Sequence, residues 1–411
     1  MAAGRVLIVS WGGGGNFPPA QALADRLVQR GHEVAVIADA APANRSVVES
    51  VTACGAQLFE YRSVEPWPAG LSLEEDPVRF DEMRNGVATA KDILAAAAEF
   101  QPHVMVVDCM IGAGLVAAEK LDLPTAVLVH VLYQPFVSYW ADISVDVSRC
   151  RRAFDMPDLD APVAFEQLKR CAKVLVLVPE AFDYPGAPRT DETHYVGPIF
   201  SERPAAPLRD LGFHHSDDRP LVMVSLSTTL MHQHETLPPI LEALGGLPVR
   251  GLVTLGGIAV DLQCHSVPDN VVVRDYLPHA AVLPQVSAVV THAGLSTVMA
   301  TLSHGIPLVC IPQGREQPLN AERVHACGAG ISLALDAKSE VIASAIEAVL
   351  GKPSHKSAAQ SLAAAIDALG RGQAAVDHVE SLLAERRDEP TVGRAHGCPW
   401  EGDVTDNRVR L

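Results

Sequence analysis

Short runs of apolar, mostly β-branched residues alternate with amphipathic stretches along most of the chain. In the first half the runs are Val6–Val9, Val34–Ile37, Val104–Val107, Ala126–Val129 and Val174–Val178. None is interrupted by polar residues, the pattern of strands covered on both faces in a parallel sheet. Between the first two, Ala20, Leu23, Ala24, Leu27 and Val28 follow the i, i+3, i+4, i+7, i+8 spacing of an amphipathic helix, and Gly31 suits its C-terminal cap. This predicts a βαβ unit with a right-handed crossover. In the second half the runs are Leu221–Val224, Gly251–Thr254, Val271–Val273, Ala288–Thr291 and Pro307–Ile311, with two further helices expected at 337–351 and 355–385.

Residues 199–219 are rich in Pro and charge and lack a strand pattern, which marks a linker. The expected organisation is α/β: a Rossmann-like domain over 1–200, a linker over 201–218, a second such domain over 219–385, and a disordered tail over 386–411. Each domain reads as doubly wound. A ligand is then expected at the C-terminal strand ends, in the cleft between the domains.

Composition narrows the function. With 48% apolar and 20% charged residues in 411, a large core is affordable. The net charge of −17 argues against a general nucleic-acid binder. The eight cysteines are scattered with no Cys-x-x-Cys, so neither a disulfide framework nor a zinc site is expected. No signal peptide precedes the first strand, and no apolar run reaches the ~18 residues of a membrane span. A soluble, cytoplasmic protein is the expectation. Nothing sets its oligomeric state, and a homodimer stays open.

Three places carry candidate chemistry. The first strand ends in Trp11-Gly12-Gly13-Gly14-Gly15-Asn16-Phe17-Pro18-Pro19, where glycines allow close ligand approach before a helix N-terminus. Phe17 breaks a dinucleotide fingerprint, and Asp39 alone is weak support for one. The strand Ala288–Thr291 runs into His292-Ala293-Gly294-Leu295-Ser296-Thr297, which brings an imidazole and two hydroxyls to a helix N-terminus, an anion site suited to a pyrophosphate. Glu316-Gln317 opens another helix at the same sheet edge and suits a polyol. Asp158-Leu-Asp160 has the letters of a metal-binding Asp-x-Asp but no preceding strand, so it reads as a loop, and no essential metal is expected.

These residues resemble a known family, the nucleotide-sugar-dependent GT-B glycosyltransferases of family 1 that decorate natural products. The resemblance rests on Tyr276-Leu277-Pro278-His279, Val290–Thr297, Gly305-Ile306-Pro307, Pro312-x3-Glu316-Gln317-x2-Asn320-Ala321, Val224–Thr229, and the N-terminal glycine turn with Arg30-Gly31-His32-Glu33-Val34. It spans about residues 5–350. It implies a GT-B fold, with the acceptor in the N-terminal domain and the donor in the C-terminal one. It also implies an inverting enzyme whose nucleotide-sugar is a co-substrate, with no bound cofactor and a lipophilic acceptor.

Carried over by position, His292 contacts the donor α-phosphate, and Gly294, Ser296, Thr297, Ser227 and Thr228 hold the pyrophosphate. Tyr276 packs on the base. Glu316 and Gln317 bind sugar hydroxyls, and Asn320, Gly13 and Gly14 are further substrate-binding positions. Ala300 stands where plant members carry a ribose-binding Glu, which favours a dTDP-sugar over a UDP-sugar.

Asn16 departs from the pattern, because many relatives place a catalytic His there. An amide has no usable basicity near neutral pH, so it orients the acceptor or caps the helix. Asp108 and His130, each ending an apolar strand, are the alternative source of a base. The other resolutions are an acidic, nitrogen or carbon acceptor, or a catalytically silent protein. The rival functions are a non-catalytic GT-B auxiliary and a nucleotide-sugar epimerase.

Overall fold

The computed structural model describes residues 3–12, 14–39, 45–65, 76–139, 144–201, 208, 211–214, 216–227, 231–257 and 267–388. The first sheet contains β1 (Arg5–Val9), β2 (Glu33–Ala38), β3 (Gln57–Glu60), β4 (Val104–Asp108), β5 (Thr125–Val129), β6 (Lys173–Val176) and β7 (Thr193–Tyr195). Its spatial order is β3-β2-β1-β4-β5-β6-β7. The second contains β8 (Leu221–Ser225), β9 (Arg250–Thr254), β10 (Val271–Arg274), β11 (Ala288–Thr291), β12 (Leu308–Cys310) and β13 (Gly330–Ser332), in the order β10-β9-β8-β11-β12-β13. Every pairing is parallel, as the unbroken apolar runs require.

All ten strand-like runs of the sequence are strands. The three strands that it did not announce, β3, β7 and β13, are the outermost strands of their ladders. An outer strand is covered less completely, so it need not be an apolar run: β3 is Gln-Leu-Phe-Glu with both ends exposed.

Strand order reverses between β1 and β4 in the first sheet and between β8 and β11 in the second. At such a switch point the connections leave in opposite directions and open a crevice beyond the strand ends. The two crevices therefore take the loops after Val9 and Asp108, and after Ser225 and Thr291.

The helix after β1 spans Phe17–Gln29 and buries Ala20, Leu23, Ala24 and Leu27. Gly31, at φ +84°, ends it as expected, with its N–H on Val28 O.

The C-terminal region differs from the expected single helix over 355–385. It forms Pro353–Ala368 and Gln373–Asp388, broken at Gly370–Gly372, where φ is +73°, +51° and +111°. The break turns the last helix back onto the first domain. Ala375, Val376, Val379, Leu382 and Leu383 share a core with Val6, Ile8, Leu23 and Leu27. Glu380 accepts from His32 Nε2 and Arg30 Nη1, both at 3.1 Å. By packing, this helix belongs to the N-terminal domain, so the expected boundary at 385 lies one helix too late. Arg26 donates to the carbonyls of Phe200 and Arg371, tying together the two places where the chain crosses between domains.

Candidate functional site

The C-terminal crevice is built around an unusual turn. Ala293 lies at φ +67°, a left-handed conformation that costs a residue with a β-carbon about 1–3 kcal/mol. Two contacts hold it there. Asn320, fully buried, donates through Nδ2 to Ala293 O at 3.0 Å, and Ala293 N donates to Thr291 Oγ1 at 3.3 Å. Asn320 thus shapes the turn, a role that its place among the expected substrate-binding residues did not suggest. Its Oδ1 is buried without a partner.

The turn delivers the chain into the helix Leu295–Leu302, whose cap residue Gly294 has no side chain to offer. The first helical bond is Val298 N to Gly294 O, so the N–H groups of Leu295, Ser296 and Thr297 precede the hydrogen-bonded ladder. A left-handed residue before a helix N-terminus makes an amide-lined concavity suited to anions.

The His292 ring covers that concavity. A β-carbon on Gly294 would stand 2.4 Å from His292 Nε2, so only glycine fits beneath the ring. His292 Nδ1 lies 3.3 Å from Ser225 O and donates to it. Burial pulls the imidazole pKa down to about 4, with His279 and Arg315 nearby adding to the effect. The ring is neutral at pH 7, and the positive end of the site is the helix N-terminus. His279 Nε2 lies 3.0 Å from Ser225 Oγ, so one serine links the two histidines through its hydroxyl and its carbonyl. Ser225 lies within Val224–Thr229 and His279 within Tyr276–His279, and nothing in the sequence signals that they meet.

The remaining donor-side residues fall as follows. Tyr276 is 65% exposed, open to stacking by a base. Ser227 is buried, and its carbonyl accepts from Gln233 Nε2. Gln317 is buried, with Oε1 on Gln313 N at 2.8 Å and Nε2 on Met231 Sδ at 3.2 Å. Its amide therefore fastens the loop after β12 rather than standing open to a sugar. Glu316 sits at the helix cap position without a side-chain cap bond and is half-buried. Thr297 is buried, whereas Ser296 donates through Oγ to Gly15 O at 2.9 Å. That bond crosses the cleft, so the glycine turn after β1 touches the donor concavity directly. Gly13 and Thr228 lie outside the described residues.

On the N-terminal side, Gly14–Asn16 forms a single tight turn before the helix. A β-carbon at Gly12 would fall 2.1 Å from Asp39 O, so glycine is required there. Asn16 occupies the cap position of Phe17–Gln29 but makes no side-chain cap bond, so the capping expectation fails. Asp108 and His130, at the ends of adjacent strands, come together: His130 Nε2 lies 2.8 Å from Asp108 Oδ1. Asp108 Oδ1 also accepts from Met110 N, whereas Oδ2 is buried without a partner.

Burial would lower the His130 pKa, but Asp108, reinforced by Cys109, holds it well above the ordinary imidazole value. The sequence did not announce Cys109. Asp108, Cys109 and His130 bring donor atoms within 4.8 Å of one another, a spacing that a metal ion can bridge. The direct bond between Asp108 and His130 is also that of a carboxylate–imidazole pair arranged for proton transfer. Tyr61, whose hydroxyl donates to Ser10 O, borders the same site; burial and the Asp108 charge raise its pKa well above 10.

Tyr133, in the helix after β5, is fully buried, with its hydroxyl on Pro188 O, and fills core. Asp158 and Asp160 are exposed in a loop, as expected.

Two parallel-sheet domains whose switch points face one cleft, one carrying an amide-lined anion site, define a GT-B fold. Solved structures agree. The calicheamicin glycosyltransferase CalG4 superposes with a TM-score of 0.77 at 22% identity over 95% of this chain and 100% of that one. The glycosyltransferase VinC, solved in complex with dTDP, superposes with a TM-score of 0.66 at 20% identity over 93% of this chain and 99% of that one. Residues 241–382 match the family described as erythromycin biosynthesis protein CIII-like, C-terminal domain. The demethyllactenocin mycarosyltransferase of Streptomyces fradiae is 36% identical over 163 residues, 40% of this chain and 35% of that protein. The 4'-demethylrebeccamycin synthase of Lentzea aerocolonigenes is 28% identical over 92% of this chain and 99% of that protein. The chain therefore has a GT-B fold, and in sequence it is similar to sugar-transferring enzymes of the natural-product type, over residues 241–382 in the family match and over most of its length in the rebeccamycin relative. Among the described residues no helix is long and apolar enough to cross a membrane.

Proposed function

We propose that this chain transfers a sugar from a nucleoside diphosphate donor, a dTDP- or UDP-sugar, to a lipophilic natural-product acceptor with inversion at the anomeric carbon. The observation that carries the reading is the His130–Asp108 pair. It sits at the ends of β4 and β5, beside the β1 turn whose Gly15 carbonyl meets Ser296 of the donor concavity. Adjacent strands lie about 4.8 Å apart, so β1 and β5, with β4 between them, run about 10 Å apart. In this reading the base that Asn16 cannot supply comes from the end of β5, two strands away from β1.

In this reading the diphosphate lies against the N–H groups of 295–297, beneath His292. The acceptor hydroxyl oxygen attacks the anomeric carbon as the bond to the β-phosphate oxygen breaks. The hydroxyl proton passes to the His130 ring nitrogen not held by Asp108, and Asp108 stabilises the imidazolium. The helix N-terminus stabilises the charge that develops on the leaving diphosphate. Ala300 at the ribose-contact position supports a deoxyribose donor, as does the likeness to a protein solved with dTDP.

A donor screen with dTDP-, UDP- and GDP-sugars, read by mass spectrometry as acceptor-independent hydrolysis, tests this. The expected result is turnover of a dTDP- or UDP-sugar. If no donor turns over while dTDP still binds, the auxiliary reading replaces the transferase.

A further inference from the structure

Behind the dyad, a cavity of about 30 Å³ opens into the N-terminal domain. Its walls include Leu115, Phe136, Val147 and Val163, and its polar end is Arg84 beside Cys109, the neighbour of Asp108. A water needs about 10–15 Å³, so the cavity holds about two oxygen-sized groups, the head of a ligand and not its body.

Arg84 is the unusual element. Its side chain is 6% exposed, yet its guanidinium makes few contacts. Nε donates to Phe80 O at 3.2 Å, Nη2 reaches Asp81 Oδ1 at 3.4 Å, and the group lies 4.0 Å above the Phe80 ring. An arginine carries five N–H donors, and no partner for Nη1 exists among the described residues. Burial pulls its pKa down against the opposing pulls of Asp81, Asp108 and Cys109, and burial prevails. Asp81 is in any case shared, since Asn85 Nδ2 donates to it at 2.7 Å. Asn85 in turn accepts from Gly112 N, where a β-carbon would stand 2.5 Å from Asn85 Oδ1. The cavity floor is therefore fixed, and its one underused polar group faces a space sized for a pair of oxygens.

We infer that the acceptor carries a carboxylate, or an equivalent pair of acidic oxygens, which docks on Arg84 within the cavity while its apolar body stays outside it. The inference rests on the transferase reading above and names the class of its acceptor. The planar guanidinium presents paired N–H groups that match a carboxylate. The same charge excludes amines, and an amide or ester of the same shape loses the charge-assisted contact.

The test compares 2-naphthoate with 2-naphthamide, titrated calorimetrically into the full chain saturated with dTDP. Wild type binds the acid at least about tenfold more tightly than the amide. Arg84→Gln abolishes that preference while leaving dTDP affinity and the melting temperature near wild type. Ala164→Phe fills the cavity with Arg84 in place and weakens both ligands. Equal binding of acid and amide, no binding of either, or a preference that survives in Arg84→Gln overturns the inference. Failure of dTDP to bind at all, with the acid preference intact, counts against the transferase reading and leaves the carboxylate site standing.

Discussion

Asp108→Asn isolates the charge of the dyad from its shape. Asp108 Oδ1 accepts from both Met110 N and His130 Nε2 at 2.8 Å, and the amide oxygen of Asn keeps both bonds. Only Oδ2 changes, and it has no partner to lose. Charge-assisted bonds contribute about 1.5–3 kcal/mol and neutral ones about 0.5–1.5, so the variant loses about 1–1.5 kcal/mol of imidazolium stabilisation, or roughly five- to thirteenfold in rate. The pH profile carries the sharper signal. Asp108 raises the His130 pKa, and His130 acts as a base only when neutral. The wild-type rate therefore rises with pH through a midpoint above the ordinary imidazole value of about 6.5. Removing the charge lowers that pKa, so the midpoint moves to lower pH while the alkaline plateau falls. The assay is kcat/KM against pH with the best donor, alongside calorimetric dTDP affinity, which stays unchanged. A plateau that falls with an unmoved midpoint, or a profile identical to wild type, refutes the claim that Asp108 tunes His130.

Other outcomes follow from the same geometry. His130→Gln removes the base, and transfer falls by about 10²- to 10⁴-fold with dTDP affinity retained; loss of dTDP binding instead would place His130 in the donor site. Asn320→Ala removes the buried hydrogen bond that holds Ala293 left-handed, which costs about 1–3 kcal/mol of stability and weakens dTDP together with it; an unchanged melting temperature contradicts the clamp. His292, at a pKa of about 4, is neutral at pH 7 with its proton on Nδ1 toward Ser225 O. A phosphate against Nε2 then requires a second proton. Binding of dTDP takes that proton up, so affinity falls as pH rises from about 4 towards the ring's pKa in the complex. Calorimetry in buffers of different ionisation heat measures the uptake, and zero uptake contradicts contact through Nε2.

The sequence discloses strands by what covers them. β1, β4, β5 and β11 are sealed on both faces, and their unbroken apolar runs say so, whereas β3, β7 and β13 lie at sheet edges and carry mixed residues. Asp108 and His130 were legible because each terminates such a run, and strand order then brings them together. The strain at Ala293 was not, because its letters spell an ordinary turn and the left-handed conformation comes from Asn320, 27 positions away. Arg84 was hidden for a related reason. Its helix, Pro77–Asn85, has no apolar stripe, so nothing local marks one of its charged residues as buried. The last helix was read as part of the second domain because chain order is silent about where a helix docks after the left-handed break at Gly370–Gly372.

Amide hydrogen exchange with and without dTDP addresses the donor site most directly. Slowed exchange is expected at 292–298, around the uncapped helix N-terminus under His292, with lesser change at 108–112. Protection confined to the β1 turn and its helix, with 292–298 unaffected, would put the diphosphate in the wrong domain and contradict the assignment.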